Sequence, residues 1–142
     1  MVAEKGMITI ERIEEIGHSL PPDRTNPAPG FVCLYTAPGG QHCIIGEICQ
    51  RLGLPVPHIN DPDNKVAVGF LAINGRWSGR FTPEAIVWAA QAQLLGQMGY
   101  PWAVCVASAD NSVAASIKLP DMARAKSEQQ AEEFRRSGEN IF

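Results

Sequence analysis

The sequence predicts a mainly α protein (α+β in the broad sense), with about five helices around one core and a short β-hairpin or strand near residues 31–36. Apolar residues recur at helical spacing in residues 9–20 and 41–52. The sequence Thr82-Pro83-Glu84, a hydroxyl followed by a proline and an acid, indicates the start of a further helix. The chain has 142 residues, of which 45% are hydrophobic and 19% charged, a composition typical of one soluble globular domain.

The first helix is expected to begin at Thr9, a candidate N-cap, and to end by Leu20. It cannot continue, because a proline pair follows and a residue that precedes proline avoids the helical conformation. Residues 1–8 are predicted to be a flexible lead-in, residues 9–119 the single globular domain, and residues 120–142 a solvated C-terminal helix and tail.

A proline-rich connector precedes the short β element. Residues 21–30 hold four of the eleven prolines and are expected to be stiff and extended. The next residues, FVCLYT at 31–36, are mostly aromatic or aliphatic and are stopped by Pro38-Gly39-Gly40. This pattern indicates one strand or one arm of a small hairpin.

The second helix is predicted from about Gln41 to Leu52, with Gly53 as the residue after its end. A projection at 100° per residue gives one apolar stripe, with Cys49 at its edge. On the same projection Cys43 faces away from the core, in the first turn of the helix, where the helix dipole favours a thiolate. The residues of the stripe are Ile44, Ile45, Ile48 and Leu52.

Two structures fit the apolar residues that follow. In one, Asn74-Gly75 is the tip of a β-hairpin over residues 66–81, which would give an α+β fold with a second hairpin. In the other, Asn64 caps a short helix that ends before Gly75. Periodicity does not decide between them, because residues 66–73 are apolar on nearly every side.

The helix that begins at Thr82 is predicted to run to about Met98 and to stop at Gly99. A second short helix is predicted over residues 101–109. The helix at 82–98 has no charged residue between Ala85 and Tyr100, so it is expected to be the most buried helix. Its predicted buried stripe consists of Val87, Trp88, Leu94, Leu95 and Met98, with Gln93 and Gln97 on the other side.

Charge and hydropathy narrow the class of protein. There are 12 basic and 15 acidic residues, a formal net charge of -3, so nucleic acid is an unlikely partner. No apolar run approaches the roughly 20 residues that span a bilayer. The N-terminus lacks the pattern of a signal peptide, so a cytoplasmic protein with four reduced cysteines is expected.

Cys43 is the candidate nucleophile, because a cysteine at a helix N-terminus after a glycine turn can have an activated thiol. Its candidate partners are His42, which is adjacent in sequence, and His58, which follows the helix. The structural alternative is favoured: a small packed residue beside Gly46, a glycine suited to close approach. The cysteine spacing predicts no metal site, and the absence of nucleotide-binding motifs predicts no cofactor.

Arg76, Trp77 and Arg80 form the candidate binding set. An aromatic residue and two arginines on a glycine-rich loop are the residue types enriched at interface hot spots. The alternative is that Trp77 folds inward as a lid on the core, with both arginines in solvent.

The segment HCIIGEICQRLGL, with the later QAQLLGQMGYPWAVCVASA, resembles a loose group of small uncharacterised proteins from actinobacteria and their phages. The resemblance covers residues 31–109 and departs at Met98, where the group often has an acid. The group looks mainly helical, which favours a helix at 64–73, and it implies a genomic setting but no activity. The matching positions are Cys43, Gly46, Leu52, Gly53, Gln93, Gln97, Gly99 and Trp102.

The leading functional prediction is a small cytosolic accessory protein that acts by binding another protein. In the genomic setting that the resemblance implies, such a protein would be phage-encoded and aimed at a host factor. One alternative is a thiol-dependent hydrolase, an amidase or peptidase, that uses Cys43. The other is a structural module that forms a homo-oligomer.

Overall fold

A computed structural model of the protein describes residues 7–27 and 34–115. The described residues confirm the mainly α fold around one core, with two isolated β-bridges, Ile8–Phe81 and Thr36–His42. The helices are α1 (Ile10–His18), α2 (Ile44–Arg51), α3 (Val68–Ile73), α4 (Pro83–Gln97) and α5 (residues 102–115, of which 115 is the last described), with a 3₁₀ turn at Pro62–Lys65.

The first helix confirms its predicted cap. The Thr9 hydroxyl accepts a hydrogen bond from the amide of Arg12 at 3.3 Å. Ile8, the last residue of the predicted flexible lead-in, is only 5% exposed and belongs to the core. Its amide donates to the Arg80 carbonyl at 2.6 Å, and its carbonyl accepts from Thr82 at 3.0 Å. This pairing joins the start of α1 to the start of α4.

Only part of the predicted β element falls within the described residues. At residues 34–36 the structure has the single bridge from Thr36 to His42, and Ala37 donates to the Gln41 carbonyl at 2.7 Å. Gly40 closes this tight turn with a φ of 83°, a conformation suited to glycine. Residues 31–33 and the predicted C-terminal helix at 120–142 lie outside the described residues.

The second helix begins at Ile44 and ends as predicted, with Gly53 at a φ of 77° just after it. Gly46 provides the expected close approach, because a Cβ there would collide with the carbonyl oxygen of Tyr35. The Tyr35 backbone can therefore lie directly on α2. This contact brings the turn at residues 37–41 against the start of the helix.

The choice between helix and hairpin is settled in favour of the helix, α3, and the hairpin at 66–81 is wrong. The predicted cap at Asn64 is also wrong, since α3 begins after Ala67. Asn64 is buried and pairs with the backbone of Thr36 instead, accepting from its amide and donating to its carbonyl at 2.9 Å each. The side chain that fits a local cap is used for a tertiary contact.

Helix α4 has its Thr82 cap as predicted, but its predicted buried stripe is wrong except for Trp88 and the half-buried Leu95. Val87, Leu94 and Met98 are exposed by 37%, 50% and 62%. Apart from Trp88 and Gln93, the buried side consists of small residues, which lets α1, α2 and α3 pack closely against it. The buried residues are Ala85, Trp88, Ala89, Ala92, Gln93 and Gly96.

Several helix starts are satisfied by groups far away in sequence. The Asn26 side-chain oxygen accepts from the amide of Ile44, the first residue of α2, at 3.0 Å. The side-chain oxygen of Gln93 accepts from Val68, the first residue of α3, at 2.8 Å. Because the first amides of a helix have no partner within the helix, these remote oxygens serve as caps.

The start of α5 is capped by backbone from the connector. The Arg24 carbonyl accepts from the amide of Trp102 at 2.7 Å, and the Pro22 carbonyl accepts from Ala103 at 3.0 Å. The indole of Trp102 donates to Asn26 at 2.9 Å. These hydrogen bonds hold the described part of the proline-rich segment against the first turn of α5.

Candidate functional site

Cys43 is the N-cap of α2, a position that the helical projection treats as part of the helix. Its sulfur accepts a hydrogen bond from the amide of Gly46 at 3.4 Å, and the residue is 2% exposed. The prediction that Cys43 faces away from the core is therefore wrong. The structural interpretation, a packed cysteine beside a close-approach glycine, agrees with this geometry.

The two histidines proposed beside Cys43 make different contacts. The Nδ1 of His42 lies 3.1 Å from the Tyr35 carbonyl oxygen and 3.4 Å from the Thr36 hydroxyl. His58 is exposed in the loop after α2. These contacts give His42 a structural role in the turn.

The other two cysteines in the described ranges, Cys49 and Cys105, are buried in the core, as is Cys43. Burial raises the pKa of Cys49, and the neighbouring Cys43 raises it further. Burial raises the pKa of Cys105 to about 11. Because the thiolate is the reactive form, these two thiols are suited to packing.

Trp77, one of the three predicted binding residues, is a core residue with 0% exposure. This agrees with the alternative interpretation, in which Trp77 folds inward onto the core. Its indole donates to the Pro55 carbonyl at 2.9 Å, and its ring packs edge-on against Tyr35 with ring centres 5.3 Å apart. Phe81 packs against the other side, with ring centres 6.2 Å apart. Trp77 therefore holds together the turn before α2, the loop after it and the start of α4.

Arg76 is engaged within the protein. Its guanidinium forms an ion pair with Asp61 and donates to Asp63 at 2.8 Å. The amide of Asp63 and then the guanidinium of Arg76 lower the pKa of Asp61. Arg80 is half-buried, and its carbonyl accepts from Ile8. The structure thus does not bring the three predicted binding residues together on one surface.

Sequence reasoning missed an exposed apolar surface on α4 and α5. Gln91 of α4 donates to Ser108 of α5 at 2.9 Å, so the two helices lie against each other at this point. On α4 the exposed large residues recur at intervals of seven and four, which places them on one side of the helix. Val104, exposed by 43%, lies one turn before Ser108. This α4–α5 apolar face consists of Val87, Leu94, Met98 and Val104.

A second missed feature is a cleft between α1 and α5 of about 290 Å³, at the small end of ligand pockets. At its rim the Nε2 of His18 lies 2.8 Å from Oδ2 of Asp110. The indole of Trp88 donates to the other oxygen of Asp110 at 2.8 Å. The α1–α5 cleft is lined by Gly17, His18, Leu20, Pro22, Trp102, Ala103, Val106, Ala107 and Asp110.

A second carboxylate stands close to this rim. Burial raises the pKa of Glu14, and Asp110 and Glu11 raise it further while His18 lowers it. The rim is therefore acidic on its α1 side as well as its α5 side. The spacing of Glu14 and His18, four residues apart on α1, could have indicated a shared face, but nothing local in the sequence indicates Asp110 as their neighbour.

In residues 7–27 and 34–115 no group of three or more His, Cys, Asp or Glu side chains is arranged to hold a metal ion. No helix in these same ranges combines the length and the apolar character needed to cross a bilayer. Comparison of the chain with protein-family models, curated proteins and solved structures found no match. The resemblance to the actinobacterial and phage group stays a prediction.

Proposed function

We propose that the protein is a cytosolic accessory protein that binds another protein through the α4–α5 apolar face. The observation that carries this proposal is the exposure of Val87, Leu94 and Met98 along one side of a helix whose opposite side is in the core. Contiguous exposed apolar surface on a soluble protein marks an interaction site.

The form of the face favours a particular kind of partner. An amphipathic helix could lie along α4 and bury Leu94 and Met98, with Val104 of the neighbouring helix at its edge. Tyr100, exposed by 43% in the turn between the helices, would extend the contact with an aromatic ring. The resemblance implies an actinobacterial or phage genomic setting, and the proposal adds that the protein is phage-encoded and that its partner is a host factor.

The test is affinity purification from an actinobacterial lysate, with wild-type protein and a Leu94→Lys, Met98→Lys variant as baits. Both side chains are at least half exposed, so the changes should leave the fold intact. We expect the wild type to recover a partner that the variant loses, because two charges would be buried in the interface. The matched control is Ile59→Lys, which charges an exposed apolar residue in a loop.

Equal recovery by all three baits would contradict the proposal. Light scattering of the purified protein tests the homo-oligomer alternative with the same variants. A wild-type dimer that the Leu94→Lys, Met98→Lys change makes monomeric would assign the face to a second copy of the chain.

A further inference from the structure

We propose that the α1–α5 cleft binds a small organic ammonium ion, with its apolar body on the cleft floor and its charged group against Asp110. This site is separate from the α4–α5 apolar face. Asp110 lies against His18 of α1 and the buried indole of Trp88, whereas Ser108, two residues earlier on α5, lies against Gln91 of α4.

The walls of the cleft suit an apolar body. Leu20 and Val106 are almost fully buried below it, while Pro22, Ala103 and Ala107 are exposed along it. The volume of about 290 Å³ admits a single ring or a short alkyl chain. A ligand here would bury its body against aliphatic carbon, which stabilises binding through the hydrophobic effect.

Asp110 supplies the polar recognition. Among the described residues that line the cleft, Asp110 has the one acidic side chain. The indole of Trp88 and the ring of His18 each hold one of its oxygens at 2.8 Å, so the carboxylate is fixed before a ligand arrives. Each oxygen can accept a further hydrogen bond, and the side chain is 32% exposed.

The surrounding charges favour a cation over an anion. On α1, His18 lines the cleft, and the negative charges of Asp110 and Glu11 raise the pKa of the nearby Glu14. The guanidinium of Arg24 lies 4.7 Å from the ring centre of Trp102, and Arg24 is not among the residues that line the cleft. An organic anion would meet two carboxylates at the rim, whereas an ammonium group would form a charge-assisted hydrogen bond with one of them.

The probe is 2-phenylethylamine, titrated into the full chain by calorimetry and by NMR of the indole N–H groups. Its neutral counterpart is 2-phenylethanol, which has nearly the same shape. We expect the amine to bind about tenfold more tightly than the alcohol, because the hydrogen bond involves two charged groups. The indole resonance of Trp88, which donates to Asp110, should shift, whereas that of Trp77, bonded to Pro55, should not.

Asp110→Asn tests the charge, since its amide oxygen can still accept from Trp88, and it should reduce amine affinity about tenfold. Ala107→Phe fills the cleft from an exposed position and should weaken the amine and the alcohol alike. Glu15→Gln removes an equal charge from a side chain that is 74% exposed and outside the cleft, and should change neither.

Three results would overturn the proposal: no binding of the amine, equal binding of amine and alcohol, or full amine affinity in both Asp110→Asn and Ala107→Phe. Tighter binding of the peptide acetyl-Ala-Lys-Ala-amide than of 2-phenylethylamine would also overturn it. That outcome would assign the cleft to a lysine side chain of a partner protein.

Discussion

At the scale of single residues, Cys43 shows how one position decides between chemistry and structure. A thiol at a helix N-terminus can be activated by the helix dipole only if a substrate can reach it. Cys43 is 2% exposed, and its sulfur accepts the amide of Gly46 as serine or aspartate caps usually do. The same location that suggests a nucleophile therefore supports a capping residue.

Gly46 and Gly69 provide a matched pair of substitutions. Gly46→Ala is expected to destabilise the protein by about 1–3 kcal/mol, because the new Cβ would collide with the Tyr35 backbone. Gly69→Ala, in α3, meets no atom within 4 Å and should stabilise by up to about 1 kcal/mol. Urea unfolding of both variants measures the difference. Equal effects at the two positions would mean that the backbone of Tyr35 does not lie on α2 as described.

At the scale of elements, the helix boundaries with local causes were predictable. The Thr9 and Thr82 hydroxyls cap their own helices, and Gly53 ends α2 in a conformation that glycine favours. The starts of α2, α3 and α5 additionally use acceptors that are far away in sequence, such as Gln93 for Val68. No pattern of neighbouring residues contains that information.

The buried side of α4 was not predictable for a related reason. Hydrophobicity indicates that large apolar residues are buried, and it favoured Leu94 and Met98 over the alanines. The helix instead packs on α1, α2 and α3, and close approach requires small residues such as Ala89 and Ala92. The α4–α5 apolar face, which carries the proposed function, could not be predicted, because hydrophobicity assigned its α4 residues to the core. The α1–α5 cleft was hidden because His18 and Asp110 are 92 residues apart.

Asn26 tests the importance of the remote caps. Asn26→Leu removes the oxygen that accepts from the amide of Ile44 and the indole of Trp102, and both donors are buried. A buried donor without a partner costs about 1–3 kcal/mol, so the loss should be about 2–6 kcal/mol for the pair. Thermal and urea unfolding measure this loss.

The control for this prediction is Asn26→Asp. It retains the acceptor at the N-terminus of α2, where the helix dipole favours a negative charge. It should therefore be less destabilising than Asn26→Leu. If both substitutions cost the same, the acceptor is not what stabilises the two helix starts.

At the scale of the whole molecule, the acidic rim between α1 and α5 makes stability depend on pH. The pKa of Glu14 is raised in the folded state by burial and then by Asp110. The folded state thus holds this proton more tightly than the unfolded state, and stability falls as pH rises from the ordinary value of 4.5 through the folded pKa. Above that range both states are ionised and the folded state retains the full penalty.

Glu14→Gln removes this penalty. We expect the variant to be more stable than the wild type at pH 7 and the difference to shrink as pH falls towards 4.5. Thermal unfolding across this range measures it, with Glu15→Gln as the control on the same helix. A difference that stays constant with pH would show that ionisation of Glu14 is not its cause.

The carbonyls of Pro22 and Arg24, which cap α5, have a consequence for local opening of the protein. The amides of Trp102 and Ala103 exchange with solvent only when residues 22–24 lift away from them. The connector and the first turn of α5 therefore form one cooperative unit of unfolding, although they lie near opposite ends of the described chain. In a hydrogen-exchange experiment the amides of Trp102 and Ala103 are expected to exchange together, in the same opening that releases residues 22–24.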